Sequence, residues 1–490
     1  MTVCANRPAP AGASGIPLAP ACDQVPAAPH GADAPQSKEV RRTRKLLLIS
    51  YHFPPVGGAG VQRPAKFAKY LREFGWEPTV LAAANPSVPV LDASLLADLP
   101  PDMPIVRTRT LEPGYAAKQR LASSDASSQG TGRKAFLAPW RDALRALARL
   151  CLQPDPQILW LPTAYAAARR LVQSGEFDAI LATAPSYSNL VLGATLKREF
   201  GIPFLADFRD EWEISAEYLE NGARGRLART VQQMLQQYVL KSADHVIATT
   251  RASAARLRQR TREAGGRAEA SCIYNGFDEA DFSSAAGRSA AAAPPSPQRF
   301  RLVYAGTLWN LTSVEPLVRA VVALQEAHPE LASRLEVVLV GRKTPEQHAL
   351  IEPLRHSRAA LRELEYCPHA EATAWMASAD ALCLLLSDVP GVERVVSAKT
   401  FEYLALGSEI LAIVPPGESA EIVWEFQPAN VKEPRDVAGI RDWLAVRLQG
   451  FSGDRRRPRP RPRDPRAERY SRRAAAGELA RLLDAAAGAG

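Results

Sequence analysis

Residues 45–83 read KLLLISYHFPPVGGAGVQRPAKFAKYLREFGWEPTVLAA, and their pattern decides the fold. KLLLI is an unbroken apolar run that ends in turn residues, as a parallel strand covered on both faces does. Val61, Phe67, Tyr70, Leu71 and Phe74 then approximate helical spacing, and Gly75 supplies a C-cap. EPTVLAA is a second strand, so the stretch is a βαβ unit.

Working outward, the alternation resumes after a loop-rich stretch (85–132) and an Arg-studded helix around Trp140 to Leu152. DAILATA (178–184), a helix from about Tyr187 to Phe200, PFLADF (203–208), a long helix around Ala216 to Lys241, DHVIATT (244–250) and ASCIYNG (270–276) continue the first series. SSAAGRSAAAAPPSPQ (283–298) has no periodicity and reads as a linker. A second series follows: RLVYAG (301–306), a helix from about Val314 to Ala327, LEVVLVG (335–341), a helix opening at Thr344, ALCLLL (381–386), a helix around Lys399 to Leu406, and EILAIV (409–414). Thr344, Pro345 and Gln347 suit a capped start.

The fold class is α/β, with two Rossmann-like doubly wound domains facing a cleft. The expected organisation is a disordered Ala/Pro-rich tail over 1–40, an N-terminal domain over 41–282, the linker, a C-terminal domain over 299–450, an Arg/Pro-rich segment over 451–466 and a terminal helix over 467–490.

With 490 residues the chain exceeds one hydrophobic core, and 46% hydrophobic against 23% charged residues is a globular balance. No apolar run approaches membrane-spanning length, and Met1 to Gly15 lacks the order of a secretory signal, so a cytoplasmic or membrane-peripheral location is expected. The net charge of +9 is local: ten arginines between Arg455 and Arg473, against Asp464 and Glu468, account for nearly all of it. That segment suits an anionic membrane surface. Nucleic acid is the less expected partner, because neither interleaved aromatics nor a known binding module accompanies the segment. Six scattered cysteines without a C-x-x-C pair support neither a metal site nor a disulfide framework.

Three constellations carry chemistry. In SYHFPPVGGAGVQR (50–63) small residues between strand and helix let backbone N–H groups approach an anion, and His52 stands in the same loop. The spacing departs from both dinucleotide and P-loop patterns. LADFRDEWE (205–213) crowds Asp207, Arg209, Asp210 and Glu211 at the end of a strand, where open α/β sheets place ligands and a carboxylate can act as base. Its bland alternative is an ion-pair cluster holding Trp212. In VVSAKTFEYLALGSEILAIVPPGESAEIV (395–423), Lys399 and Glu402 open a helix that Gly407 ends. A cation there can meet a diphosphate, and a carboxylate can accept both hydroxyls of a ribose. PPGESAE (415–421) offers a further helix N-terminus. His369 reads as a capping or packing residue, and the NGFD turn (275–278) suits a glycine at positive φ.

SYHFPPVGGAGVQRPAKFAKYLREFGWEPTVL, PFLADFRDEW, IYNGFDEADF, YAGTL and KTFEYLALGSEILAIVPPGESAEIV together resemble, in order over about 45–430, the family 4 retaining glycosyltransferases of the GT-B fold. The resemblance implies an N-terminal acceptor domain, a C-terminal nucleotide-sugar domain, and sugar transfer with retained anomeric configuration. No metal is required and no cofactor beyond the nucleotide-diphosphate sugar as co-substrate. By analogy Gly57 and Gly58 lie beside the donor phosphates, Gly306, Thr307 and Arg342 belong to the donor side, Glu402 matches the ribose-binding glutamate and Lys399 lies near the diphosphate. Asp210, with Arg209 beside it, is the side-chain candidate for catalysis.

Three departures stand out. Arg394 occupies the position eight before Glu402, with Glu393 one residue out of register. GTLWNLTSVEP (306–316) lacks the basic pair that commonly follows this glycine, a charge that Arg342, Lys343 or Arg394 could replace. TAPSYSN (183–189) puts Ser186 and Ser188 where many relatives carry a histidine. The expected activity is transfer from a nucleotide-diphosphate sugar to a glycan or lipid-linked acceptor. The alternative is a catalytically weak GT-B protein that binds sugar nucleotide or glycan as a partner subunit, and a third reading is a sugar-nucleotide epimerase.

Overall fold

The computed structural model describes residues 43–115, 152–218, 225–286, 296–452 and 463–488. The tail over 1–40, the helix expected around Trp140 (Leu152 apart), most of the linker and most of the Arg/Pro segment lie outside the described residues.

Two parallel sheets form the body. The first contains β1 (Arg44–Ile49), β2 (Trp76–Ala83), β3 (Ile105–Thr108), β4 (Ala179–Thr183), β5 (Phe204–Phe208), β6 (His245–Ala248) and β7 (Glu269–Cys272), in the order β3-β2-β1-β4-β5-β6-β7. The second contains β8 (Phe300–Ala305), β9 (Leu335–Val340), β10 (Ala360–Leu364), β11 (Ala381–Leu385), β12 (Glu409–Ile413) and β13 (Val431–Lys432), in the order β10-β9-β8-β11-β12-β13. Strand order reverses at β1/β4 and at β8/β11, and each reversal opens a crevice at the carboxyl ends of the strands. Leu46, Leu47, Leu48 and Ile49 are fully buried because apolar clusters cover both faces of β1.

Several local expectations are revised. The helix expected from Ala216 to Lys241 is two described helices, Trp212–Tyr218 and Arg226–Ser242. Helix Pro345–Arg355 begins after Thr344, but no side-chain cap bond forms. Gln347 instead accepts from the Val314 backbone N–H at 2.9 Å, tying its helix to the start of helix Glu315–Ala327.

Gly276 is not at positive φ. It is needed because a Cβ there would stand 2.1 Å from the Tyr470 carbonyl oxygen. Two chain segments run side by side at this point: Phe277 N–H donates to Tyr470 O at 3.1 Å and Arg472 N–H to Phe277 O at 2.7 Å. The second segment leads into helix Arg472–Gly488, which returns to pack Ala476, Leu479 and Leu483 against Leu46, Leu48 and Phe67 of the first sheet's layer. Since backbone meets backbone here, Gly276→Ala is expected to lower stability by about 1–3 kcal/mol, as overpacking does. A urea-unfolding midpoint equal to that of the parent chain would show that the segments are not so close.

Candidate active site

The first-sheet wall begins at the loop after β1. Gly58 lies in the left-handed region, with φ +98. A Cβ on Gly57 would stand 3.1 Å from Tyr366 Oη, a hydroxyl from the second sheet's side that also faces the Gly58 backbone. Just beyond, Arg209 Nη1 donates to Gly60 O at 2.6 Å, while Arg209 Nη2 holds Asp210 Oδ2 at 3.0 Å. Asp210 keeps more than a third of its side chain in solvent, so it is a rim carboxylate neutralised by its neighbour.

The acidic knot after β5 thus separates into three roles. Asp207 is fully buried, receives Arg63 Nε and Nη2 at 3.0 and 2.9 Å, and accepts from Thr183 Oγ1 at 2.8 Å. It anchors structure. Glu211 reaches the other lobe, accepting from Arg394 Nε at 2.9 Å. Burial raises its carboxyl above the ordinary range although Ser253 and Arg394 oppose this.

On the second-sheet wall, Gly306, Thr307 and Arg342 come together. A Cβ on Gly341 would stand 2.2 Å from Gly306 O, and Leu308 N–H donates to Arg342 O at 2.8 Å. Arg342 presents an exposed side chain without a partner among the described residues. Lys343 and Arg394 do not replace the absent basic pair. Lys343 Nζ donates to Gly341 O at 2.7 Å and Leu364 O at 2.9 Å, with burial pushing its ammonium down. Arg394 is engaged by Glu211 and Glu393.

Helix Ala398–Ala405 starts at Ser397, whose hydroxyl accepts from Lys399 N–H. It is seated beneath β8 by the Ala305 N–H, which donates to Tyr403 Oη at 3.1 Å. Lys399 Nζ meets Glu402 Oε2 at 2.6 Å. Burial alone would raise the Glu402 carboxyl, but Lys399 and His369 hold it below the usual range, so it is an anion ready to accept hydrogen bonds.

The segment from Tyr366 to His369 links these walls, since Tyr366 meets the glycine loop and His369 lies in the field of Glu402. His369 Nε2 stands 3.4 Å from Asp281, so it joins a charge network rather than merely packing. The carboxylates of Asp98, Asp278 and Asp281 cluster within 4.8 Å of one another, as metal ligands can. Lys66 Nζ bonds all three, at 2.5 Å to Asp278 and 3.0 Å to Asp281. Lys69 Nζ adds bonds to Asp98 at 2.6 Å and Asp278 at 3.2 Å, so two ammonium groups stand where a metal ion would.

PPGESAE serves differently from expectation. Glu418 is buried, accepts the Arg251 and Ala252 N–H groups at 2.9 and 3.1 Å, and bonds Tyr274 Oη. It crosses between the sheets to occupy the positive end of helix Arg251–Glu263. Where a histidine was absent, Ser188 Oγ donates to Asp155 at 2.6 Å. Ser186 adopts a left-handed φ of 79 and buries a hydroxyl without a partner among the described residues.

The expected residues stand on both lobes, and Tyr366 brings the second lobe to the Gly57–Gly58 loop of the first. Sequence reasoning gave no role to Tyr366 or Arg472, took in Asp281 and Glu418 only within longer motifs, and undervalued His369. Tertiary structure distinguishes them: Glu418 and Arg472 are buried, while Tyr366 and His369 are marked by what they meet, the Gly57–Gly58 loop and Asp281.

The family model for the glycosyl transferase 4-like domain matches residues 57–276. No curated protein sequence matches the chain significantly. Among solved structures, sucrose-phosphate synthase from Thermosynechococcus elongatus is similar at 14% identity and TM-score 0.56, over 91% of this chain and 100% of that one. Anabaena Alr3699/HepE in complex with UDP is similar at 16% identity and TM-score 0.52, over 90% of this chain and 100% of that one. The α,α-trehalose 6-phosphate synthase from Burkholderia multivorans is similar at 13% identity and TM-score 0.53, over 91% of this chain and 98% of that one. At such identities these likenesses concern the fold. The match identifies a glycosyl transferase 4-like domain over residues 57–276, and the two doubly wound parallel sheets share the GT-B fold of these glycosyltransferase structures.

Proposed function

We propose that the chain transfers a sugar from a nucleotide-diphosphate donor to a glycan or lipid-linked acceptor, with retention of anomeric configuration. The observation that carries the reading is the Lys399–Glu402 pair at the start of helix Ala398–Ala405, on the cleft side that Tyr366 joins to the Gly57–Gly58 loop. An ionised Glu402 is suited to accept from a ribose diol. Lys399 and the first turn of its helix are suited to the negative charge that grows on the diphosphate as the sugar departs. Gly306 and Thr307 border the donor, with Arg342 at the rim. The UDP in the Anabaena HepE structure, and the UDP with glucose in a second HepE structure, support a nucleotide sugar on this architecture.

The acceptor hydroxyl would attack from the face on which the diphosphate leaves, so the departing phosphate can take its proton. Asp210, steered by Arg209, would orient that hydroxyl. The nucleotide sugar is the co-substrate, and the mechanism as drawn invokes no metal. No helix among the described residues is long and apolar enough to cross a membrane. A lipid-linked acceptor would be met at a surface, which the arginines over 455–461 suit; Arg463, Arg466, Arg469 and Arg473 are taken up by ion pairs and Arg472 is buried.

A thermal-shift screen of nucleoside diphosphates and their sugars tests the donor site. One nucleotide should raise the melting temperature of the parent chain but not that of Lys399→Ala or Glu402→Ala. No shift from a folded protein would remove the donor-site assignment, and binding without turnover over an acceptor panel would favour the binding-subunit alternative.

A further inference from the structure

Arg472 opens helix Arg472–Gly488, at the edge of the Arg-rich segment and far in sequence from the three constellations that carry chemistry. It is 6% exposed. Its side-chain hydrogen bond among the described residues is a long one, 3.5 Å from Nη1 to Asn275 Oδ1, and no described carboxylate stands within ion-pair distance. The neighbouring cations are all engaged: Arg63 by Asp207, Arg209 by Asp210 and Gly60 O, and Lys399 by Glu402. Glu402 and Asp281 lie in the field of Arg472, but they already serve Lys399 and Lys66. Burial, with Arg63 adding repulsion, brings the guanidinium down to about 10. A buried cation without a counter-ion opposes folding, and an apolar side chain of similar volume would suit an empty protein better. Its retention points to a ligand.

We propose that Arg472 binds the diphosphate of the nucleotide sugar, supplying from the C-terminal segment the cation that the GTLWNLTSVEP loop lacks. The inference rests on the donor-site reading above. Arg472 shares its field with Glu402 on the second-sheet wall and with Arg209, which holds the Gly60 loop, on the first. An anion between those walls meets a planar fork that can grip two oxygens at once. The backbone fixes the fork, because Arg472 N–H donates to Phe277 O and the adjoining Gly276 admits no side chain.

Calorimetric titration of the full chain, parent against Arg472→Met and Arg472→Lys, separates this role from a structural one. The probes are UDP, ADP and GDP, their nucleosides, and inorganic pyrophosphate. Arg472→Met is expected to melt no lower than the parent. It should lose about 10- to 100-fold in affinity for the preferred diphosphate and for pyrophosphate, as removal of charged hydrogen bonds does. Nucleoside affinity should hold, and Arg472→Lys should recover part of the loss.

If the parent binds a nucleoside diphosphate and Arg472→Met binds it equally well, the Arg472 assignment falls while the donor site stands. Equal loss of nucleoside and diphosphate affinity would mean pocket collapse and would also overturn it. So would a change confined to acceptor KM, which would place the anion on the acceptor. If the parent binds neither diphosphate nor pyrophosphate, the donor-site reading and this inference fall together.

Discussion

Arg63→Met will cost about 3–5 kcal/mol of folding stability, the usual effect of leaving a buried charge without its partner. The exposures of Arg63 and Asp207 are 1% and 0%, so solvent cannot take over the carboxylate. The same guanidinium donates to Ile273 O and Tyr274 O, both at 3.0 Å, and its removal strands those carbonyls where the chain leaves the first sheet. Urea unfolding, followed by tryptophan fluorescence, measures the loss. Arg63→Met combined with Asp207→Leu should recover most of it, because the desolvation cost leaves with the charges. A single-variant loss below about 1 kcal/mol would show that the pair is in contact with water.

Glu402→Ala is expected to lower kcat/KM for the donor by about 10²- to 10⁴-fold, the value of two hydrogen bonds to a charged acceptor at roughly 1.5–3 kcal/mol each. On the proposed assignment these bonds hold the ribose in ground and transition states alike, so the change should appear chiefly in KM. Lys399→Met should act more on kcat, because its partner charge grows as the diphosphate leaves. Initial rates over a donor series resolve the split, and wild-type kinetics in Glu402→Ala would remove the residue from the site. Alanine also leaves the Lys399 ammonium without its 2.6 Å partner, so Glu402→Gln is the companion variant that preserves volume.

Reading the chain before its structure works best where burial is total. LLLI (46–49), AILA (179–182) and ILAIV (410–414) are apolar throughout because both faces of β1, β4 and β12 are covered, and all three strands lie where expected. β10, the run ALREL, is an edge strand with side chains only partly covered, so its polar residues conceal it. β13 is two residues long and offers no period at all. The site divides in the same way. Lys399 and Glu402 share one turn of one helix, so their relation is written in their spacing. Tyr366 and Arg472 come from remote segments whose neighbours mark neither, and Asp281 lies inside IYNGFDEADF without a spacing that spells out its bond to Lys66 or its approach to His369. Gly276 illustrates a right residue with the wrong reason: a turn signal that is in fact a close approach to Tyr470.

The returning helix also governs the order in which the protein can mature. Arg44 pairs with Asp484 across 440 positions of sequence, and Trp76 Nε1 donates to the same carboxylate. Leu46 and Leu48 lie in one apolar cluster with Leu479 and Leu483. On the ribosome, the first sheet is complete hundreds of residues before the helix that covers this face has been made. Until that helix emerges, the nascent chain carries an uncapped greasy surface of the kind that invites aggregation and chaperone binding. Assembly of the first lobe thus waits on translation of helix Arg472–Gly488, and the segment that brings that helix home also carries Arg472.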